Sequence, residues 1–212
     1  MSTTATRTTP ATRTDLTVLA PAAAFAALSI AYVAANARTP HPDASGVDVL
    51  AYTTAHTGLI DTGALLLMLS AAPLVILTGL IQRLLSGPSI LTIGGALAAG
   101  GLTFSALFSW TGARLNASAA PDLARTIADL GYMSGGPAFA AGFGLLIVGI
   151  VIPALLQRKL PIWLIGIGLA IALAAALSTF ALVASGFGYL LPVVRFGGLL
   201  WLVAVAVILS RR

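Results

Sequence analysis

Cysteine and glutamate are both absent from this sequence of 212 residues, and lysine occurs once, at Lys159. A chain without cysteine forms no disulfide and offers no thiolate to a metal ion or a redox pair. A retinal Schiff base needs a lysine inside a membrane span, whereas Lys159 lies in a predicted turn between two apolar runs. Side-chain carboxylate chemistry is left to six aspartates, at positions 15, 43, 48, 61, 122 and 129.

Charged residues of either sign are scarce. Only 8% of the residues are charged, 58% are hydrophobic and the mean hydropathy is +1.02, whereas soluble domains are about one-quarter charged. The net charge of +5 does not indicate a nucleic-acid partner, because the basic residues stand singly or in pairs at the ends of apolar runs. The composition predicts an integral membrane protein whose surroundings are the lipid bilayer.

Sequence motifs for the common catalytic and cofactor sites are also missing. The chain has no P-loop, no Rossmann glycine pattern, no HExxH pair and no GxSxG nucleophile elbow. His41 and His56 both fall in the first predicted outer loop, which disfavours haem ligation within the membrane, and their spacing matches no established metal site. We therefore expect neither a cofactor nor a metal ion.

What the sequence does contain is a series of six long apolar runs. Each is long enough to cross a hydrocarbon core of about 30 Å at a rise of about 1.5 Å per residue. Residues 1–14, MSTTATRTTPATRT, are rich in threonine and show no hydrophobic periodicity, so they predict a disordered cytoplasmic tail. The remainder, residues 15–212, predicts an all-α six-helix transmembrane domain with spans at about 16–35, 58–81, 87–110, 130–156, 161–185 and 188–209.

The distribution of basic residues predicts how these spans are oriented. Cytoplasmic flanks collect lysine and arginine, and a cytoplasmic N-terminus places seven basic residues inside: Arg7, Arg13, Arg83, Arg158, Lys159, Arg211 and Arg212. Both termini are then cytoplasmic. The preference for arginine over lysine, together with abundant alanine, is typical of GC-rich bacteria and favours a bacterial plasma membrane.

An N-terminal signal peptide is an alternative interpretation, because ANA at 35–37 resembles a cleavage site made of small residues. The apolar run before it is longer than the roughly 7 to 15 residues usual in such peptides. Its loss would also leave an odd number of spans. The span interpretation is therefore favoured.

Small residues and prolines within the spans predict where helices approach closely and where they bend. Lipid gives helices no hydrophobic reason to associate, so small residues mediate their packing. Pro73, Pro137 and Pro192 lie within spans and predict bends that leave carbonyls unpaired. The small residues at helical spacing are Gly95 with Ala99, Gly101 with Ser105, and Ser134 with Ala138 and Gly142.

Two charged side chains, Asp61 and Arg195, fall within predicted spans. An embedded charge costs at least about 2.5 to 3.5 kcal/mol and needs a partner or a water-filled cavity. Both residues lie in the outer half of their spans at similar depth, which predicts an ion pair if the second and sixth spans are neighbours. Alternatively, Asp61 caps a helix that starts at Thr62, and Arg195 extends to the head groups or bonds carbonyls freed by Pro192.

Further polar and aromatic residues cluster at the same predicted outer mouth. Tryptophan and tyrosine at span ends are commonly interfacial anchors. The functional alternative is a shallow amphipathic pocket that opens outward, with an arginine as the anion or carbonyl contact and aromatic walls. The candidate binding residues are Asp61, Arg195, His56, Trp110, Tyr132, Ser134 and Tyr189.

The C-terminal half carries three longer patterns: DLGYMSGGPAFAAGFGLLIVG, LLQRKLPIWLIGIGLAIAL and LLPVVRFGGLLWLVAVAVIL. Over residues 130–209 they resemble a family of bacterial six-span membrane proteins of unknown function, the DUF4386 type. The matching positions are Leu160 to Leu164, Leu191, Pro192, Trp201 and Leu202. The resemblance implies the six-span fold and no particular activity, and the glutamate that family members often carry in the last span is absent here.

These features favour a non-enzymatic role, in which the protein binds a small molecule or lipid or partners another membrane protein. Two other classes stay open. A small transporter predicts a continuous polar path through the bundle. An intramembrane enzyme acting on a lipid or prenyl substrate predicts that Asp61 serves as its acid.

Overall fold

The computed structural model describes residues 16–211, and this part of the chain is helical without strands. The predicted tail at residues 1–14 lies outside the described residues. Within 16–211 there are eight α-helices: α1 (Leu16–Ala35), α2 (Gly46–Ala55), α3 (Thr57–Leu85), α4 (Ser89–Gly112), α5 (Pro121–Met133), α6 (Phe139–Leu156), α7 (Ile162–Ser178) and α8 (Gly198–Ser210).

Short π and 3-10 segments join several of these helices into longer units. A π segment, Ser134–Ala138, connects α5 to α6, and a second, Val193–Gly197, leads into α8. Two 3-10 segments, Thr179–Leu182 and Ser185–Leu190, form the corner between α7 and α8. Six helical units of the described chain are long and apolar enough to span a membrane: Leu16–Ala35, Thr57–Leu85, Ser89–Gly112, Pro121–Leu156, Ile162–Leu182 and Ser185–Ser210.

The predicted all-helical architecture, with six helical units long and apolar enough to span a membrane, is thereby confirmed for residues 16–211. The fourth unit is longer than the predicted span at 130–156, since it begins at Pro121. A proline at the first helical position is well suited to start a helix. The segment that precedes residue 130 is amphipathic, which is why hydropathy alone did not include it.

The six units form a closed ring. Around the ring, α1 packs against α3, α3 against α4, α4 against α6, α6 against α7, α7 against α8 and α8 against α1.

The glycines predicted to mediate packing do so. A Cβ added at Gly95 would collide with Thr78 of α3, one at Gly101 would lie 2.8 Å from the carbonyl oxygen of Ser134, and one at Gly142 would meet the backbone of α4.

The up-and-down order of the units gives the bundle two different ends. Leu16 and Ser210 lie at one end, which we call the termini end, and the segments 36–56 and 113–129 lie at the other, the loop end. At the loop end α2 packs on α5 through a small core of Val49, Leu50 and Ala124. We call these two segments, 36–56 and 113–129, the cap.

One arginine fastens the two halves of the cap to each other. Arg125 forms an ion pair with Asp129 at 2.7 Å, and its Nη1 donates a hydrogen bond of 2.8 Å to the carbonyl oxygen of Ala44. Gly46 also approaches Pro121 so closely that an added Cβ would lie 2.5 Å from the proline carbonyl oxygen. The cap is therefore a packed element of the bundle.

Candidate functional site

A cavity of about 760 Å³ lies beneath the cap at the loop end of the ring. Its walls come from the cap with α2, from α1, α4, α5 and the start of α6, from the corner between α7 and α8, and from the two π segments, with one residue of α3. The chain has four tyrosines, and all of them line this cavity. The aromatic residues of the wall are Tyr32, Tyr52, Phe108, Tyr132, Phe139, Tyr189 and Phe196.

Arg195 lies at the inner limit of the cavity, on the π segment that precedes α8. Its Nη1 donates a hydrogen bond of 3.5 Å to the carbonyl oxygen of Gly135. The guanidinium also lies 4.9 Å from the ring centre of Tyr32 and 5.7 Å from that of Phe139. Aromatic rings attract a cation that faces them, so these contacts stabilise the charge.

The remaining edge of this guanidinium has no protein partner. Arginine carries five N–H donors, and Arg195 makes the single hydrogen bond to Gly135 and no ion pair within residues 16–211. No fully enclosed side-chain nitrogen or oxygen of the described residues lacks a hydrogen-bond partner. Nε and Nη2 of Arg195 therefore reach open space, and the space that Arg195 lines is the cavity.

The other charged residues of the cavity wall are already paired with each other. His41 lies 3.1 Å from Asp43 in an exposed pair at the mouth, and Arg125 bonds Asp129 as described above. Within the described part of the chain, Arg195 is consequently the one arginine of the wall without a carboxylate. Its position in a span, surrounded by aromatic rings, gives it a low-dielectric environment in which a hydrogen-bonded anion is attracted strongly.

Two polar side chains of the wall, Ser105 and Asn36, donate hydrogen bonds to backbone carbonyls. Ser105 of α4 donates a hydrogen bond of 2.8 Å to the carbonyl oxygen of Gly131, immediately before the first π segment. Asn36 donates through Nδ2 to the carbonyl oxygen of Tyr32 at 2.9 Å. These bonds fix the wall around Arg195 without occupying its free edge.

The cavity does not continue to the termini end. Its deepest wall residues are Phe139, Ala140, Arg195 and Phe196, and below them the interior is filled by Phe143, Ile147 and Ile150. The buried hydroxyls of Ser70 and Thr78 in α3 donate to carbonyls of their own helix, at Leu67 and Leu74. Within residues 16–211 the cavity is therefore blind toward the termini end.

Three of the seven predicted binding residues line the cavity, namely Arg195, Tyr132 and Tyr189. His56 lies just outside, where its ring stacks on Tyr52 at 4.4 Å and its Nδ1 lies 3.0 Å from the Tyr52 carbonyl oxygen. Ser134 belongs to the first π segment and lines a smaller apolar depression beside α7.

Asp61 and Trp110 belong to a different cluster. Both carboxylate oxygens of Asp61 accept hydrogen bonds from Nη2 of Arg114 at 2.7 Å, and the Arg114 guanidinium lies over Trp110 at 4.8 Å. The predicted Asp61–Arg195 ion pair is therefore wrong. Helix α3 carries Asp61 and packs beside α4, which ends just before Arg114, whereas Arg195 lies next to α8 on the far side of α1.

The alternative roles predicted for the two charges are also corrected. Helix α3 begins at Thr57, so Asp61 is an internal residue of its first turns and not the residue that caps it. The guanidinium of Arg195 does bond a carbonyl, but the carbonyl belongs to Gly135 in another span and not to the turn around Pro192. Its aromatic enclosure also differs from extension into the head groups.

Several wall residues were not predicted from the sequence. Tyr32 was included only within the predicted span 16–35, and Gly135 and Phe139 only within the run DLGYMSGGPAFAAGFGLLIVG. The sequence did offer one signal, since SGGPAF and LPVVRFGG each place a proline near glycines in an otherwise apolar run. Prolines and glycines interrupt regular hydrogen bonding in a span, and π segments formed at both places.

No metal-binding constellation accompanies the cavity: within residues 16–211, no three histidine or aspartate side chains lie close enough together to hold a metal ion. In comparisons with protein-family models, with curated proteins and with solved structures, the chain matches none of them. The functional conclusion below therefore depends on the geometry of the cavity.

Proposed function

We propose that this protein binds an anionic small molecule or lipid in the cavity beneath the cap, as a non-enzymatic membrane protein. The observation that carries the proposal is the free Nε and Nη2 edge of Arg195 in the aromatic cavity wall. A charge held in a span costs at least about 2.5 to 3.5 kcal/mol. An anion bonded to that edge offsets this cost, because charge-assisted hydrogen bonds are the strong ones.

The shape and composition of the cavity support the same proposal. Ligand cavities in proteins commonly measure about 300 to 1,000 Å³ and combine apolar walls with a few convergent polar groups. The cavity here measures about 760 Å³ and has one free cationic edge among tyrosine and phenylalanine rings. An amphipathic ligand would bond Arg195 with its head and contact the rings with its body.

We also propose that the loop end faces out of a bacterial cell, with both termini in the cytoplasm. The support is the positive-inside rule: Arg83, Arg158, Lys159 and Arg211 all lie at the termini end. Ligand would then enter from outside the cell or from the outer leaflet.

The relationship to the six-span family of unknown function remains a proposal as well. One contact supports treating its motifs as a structural unit. Trp201, from the motif in the last span, donates a hydrogen bond of 2.7 Å through Nε1 to the carbonyl oxygen of Leu164, from the motif that opens α7.

Transport and catalysis have less support than binding. The cavity is blind toward the termini end, and Asp61, the expected acid of an enzyme, is held by Arg114 outside the cavity wall. A role as partner of another membrane protein is compatible with ligand binding, because it does not involve the residues of the cavity.

Native mass spectrometry of protein purified from membranes in a mild detergent tests the proposal. We expect the wild-type protein to carry a small-molecule adduct that is absent from Arg195→Ala. Asp61→Asn is the matched control, because it removes a charge of the other cluster, and it should retain the adduct. An adduct of equal occupancy in Arg195→Ala, or none in the wild type, would contradict the proposal.

A further inference from the structure

We infer that the ligand of this cavity is a monoanionic carboxylate carried on a planar aromatic body. The inference rests on the proposed function, because it assigns a chemical class to the ligand of the same site. Three features of the described residues lead to it: the geometry of the free guanidinium edge, the charges around the mouth, and the kinds of side chain in the wall.

The geometry of Arg195 favours a planar head group with two oxygens. Nη1 is engaged with the carbonyl oxygen of Gly135, which leaves Nε and Nη2 side by side. These two nitrogens form one of the forks with which arginine bonds both oxygens of a carboxylate in parallel. The rings of Tyr32 and Phe139 lie against the guanidinium and help to hold that fork in place.

The charges of the wall favour a single negative charge over two. Arg195 supplies one cation without a protein carboxylate, so one negative charge neutralises it. Asp43 at the mouth has an 81% exposed side chain, and Asp129 a 44% exposed one. Asp129 is paired with Arg125, so neither cation of the wall has a second charge to offer, and a dianion such as a phosphate monoester leaves one of its own charges uncompensated in a low-dielectric site.

The side chains of the wall favour an aromatic body over an alkyl chain. Seven aromatic rings line the cavity, including every tyrosine of the chain. Six branched aliphatic side chains of the described residues also contribute to this wall, against seven aromatic rings, and only two of the six are leucines although leucine is abundant in the sequence: Val33, Val49, Ile60, Leu115, Ile127 and Leu191. Aromatic rings pair through stacked and edge-to-face arrangements beyond simple burial, whereas an alkyl tail needs only aliphatic surface, which the rest of the bundle has in excess.

Binding of four probes to the full-length protein in lipid nanodiscs tests the inference. The probes are 2-naphthoate, 2-naphthyl phosphate, decanoate and 2-naphthalenemethanol. They represent an aromatic monoanion, an aromatic dianion, an aliphatic monoanion and a neutral aromatic. Equilibrium dialysis gives the Kd of each, with empty nanodiscs of the same zwitterionic lipid subtracted to remove partition into the bilayer.

We expect 2-naphthoate to bind about tenfold or more tightly than the neutral alcohol, as loss of a hydrogen bond to a charged group implies. It should also bind more tightly than decanoate, which lacks aromatic contacts, and than the phosphate, which carries a second charge. Arg195→Ala should weaken naphthoate to the level of the neutral alcohol. Arg195→Lys keeps the charge without the fork and should recover only part of the affinity. Asp61→Asn should leave the Kd unchanged. A thermal unfolding curve for each variant separates a lost site from a lost fold.

The outcomes distinguish this inference from the proposed function. If the phosphate binds most tightly, or if decanoate binds as tightly as 2-naphthoate, the ligand is not an aromatic monocarboxylate. The proposed anion site at Arg195 is unaffected by either result. Naphthoate binding that is equal in wild type and Arg195→Ala overturns both. Absence of saturable binding of all four probes overturns the inference, and the native mass spectrum then decides the proposed function independently.

Discussion

Nη1 of Arg195 lies 3.5 Å from the carbonyl oxygen of Gly135, and this contact joins the two π segments of the described chain. π segments are rare and occur frequently at functional sites. Here both belong to helical units that are long and apolar enough to span a membrane, and both border the cavity. The guanidinium is therefore positioned by irregular backbone in two spans while its other edge stays free for a ligand.

Replacing Arg195 with methionine should separate stability from binding. A buried charge replaced by an apolar side chain of similar volume is often neutral or stabilising, by about 1 to 4 kcal/mol. We expect Arg195→Met to unfold at an equal or higher temperature than the wild type in detergent and to lose the ligand. A marked fall in unfolding temperature would show instead that Arg195 mainly fastens α8 to the π segment after α5.

The close contact between α4 and α6 predicts a difference between two glycines of the same helix. A Cβ added at Gly94 would lie 2.7 Å from the carbonyl carbon of Leu145, whereas one at Gly100 would meet nothing within 4 Å. We expect Gly94→Ala to destabilise the protein by about 1 to 3 kcal/mol, the usual cost of overpacking. Gly100→Ala should be neutral or slightly stabilising. Equal unfolding temperatures for the two variants would contradict the packing described here.

The ion pair between Asp61 and Arg114 should contribute little to stability. Their side chains are 32% and 50% exposed, and exposed pairs are typically worth about 0.2 to 1 kcal/mol. A double-mutant cycle with Asp61→Asn and Arg114→Gln measures the coupling free energy, and we expect a value within that range. Neither variant should change ligand affinity. A tenfold loss of ligand affinity in Asp61→Asn would show that this carboxylate contributes to the binding site.

Arg125 should control how readily the cap opens. Removing its charge-assisted hydrogen bond to Ala44 costs on the order of 1.5 to 3 kcal/mol, and local opening of the cap becomes correspondingly more frequent. In Arg125→Ala we expect faster amide hydrogen exchange in α2, with exchange in the middle of α3 unchanged. Arg114→Ala is the control at the same end of the bundle. Unaltered exchange in α2 would show that the core around Val49 and Leu50 holds the cap alone.

The sequence determined the fold more completely than it determined the site. Six apolar runs and the small residues within them were sufficient to predict six spans and the contacts of Gly95, Gly101 and Gly142. These features could be predicted because they depend only on the hydropathy and the side-chain size of neighbouring residues in the sequence. The boundary at Pro121 was missed, because the amphipathic start of α5 contains too few apolar residues to extend a hydropathy window.

The sequence alone did not predict which side chains meet across the ring of helices. Matched depth suggested Asp61 for Arg195, but depth does not specify which spans are neighbours. The ring order places Arg114 beside Asp61, and α1 between α3 and α8. Likewise, Arg195 contacts Tyr32 and Gly135 from within a π segment, and a proline in the sequence indicates an interruption without specifying its geometry.

Locating a heavy-atom ligand tests the central claim most directly. Crystals of the protein soaked with 6-bromo-2-naphthoate, measured at the bromine absorption edge, would show the probe's position by anomalous scattering. Our account predicts a bromine peak in the aromatic cavity beneath the cap, with the carboxylate density bonded to Nε and Nη2 of Arg195. A peak confined to the apolar depression beside Ser134, or no peak in the cavity, would contradict it.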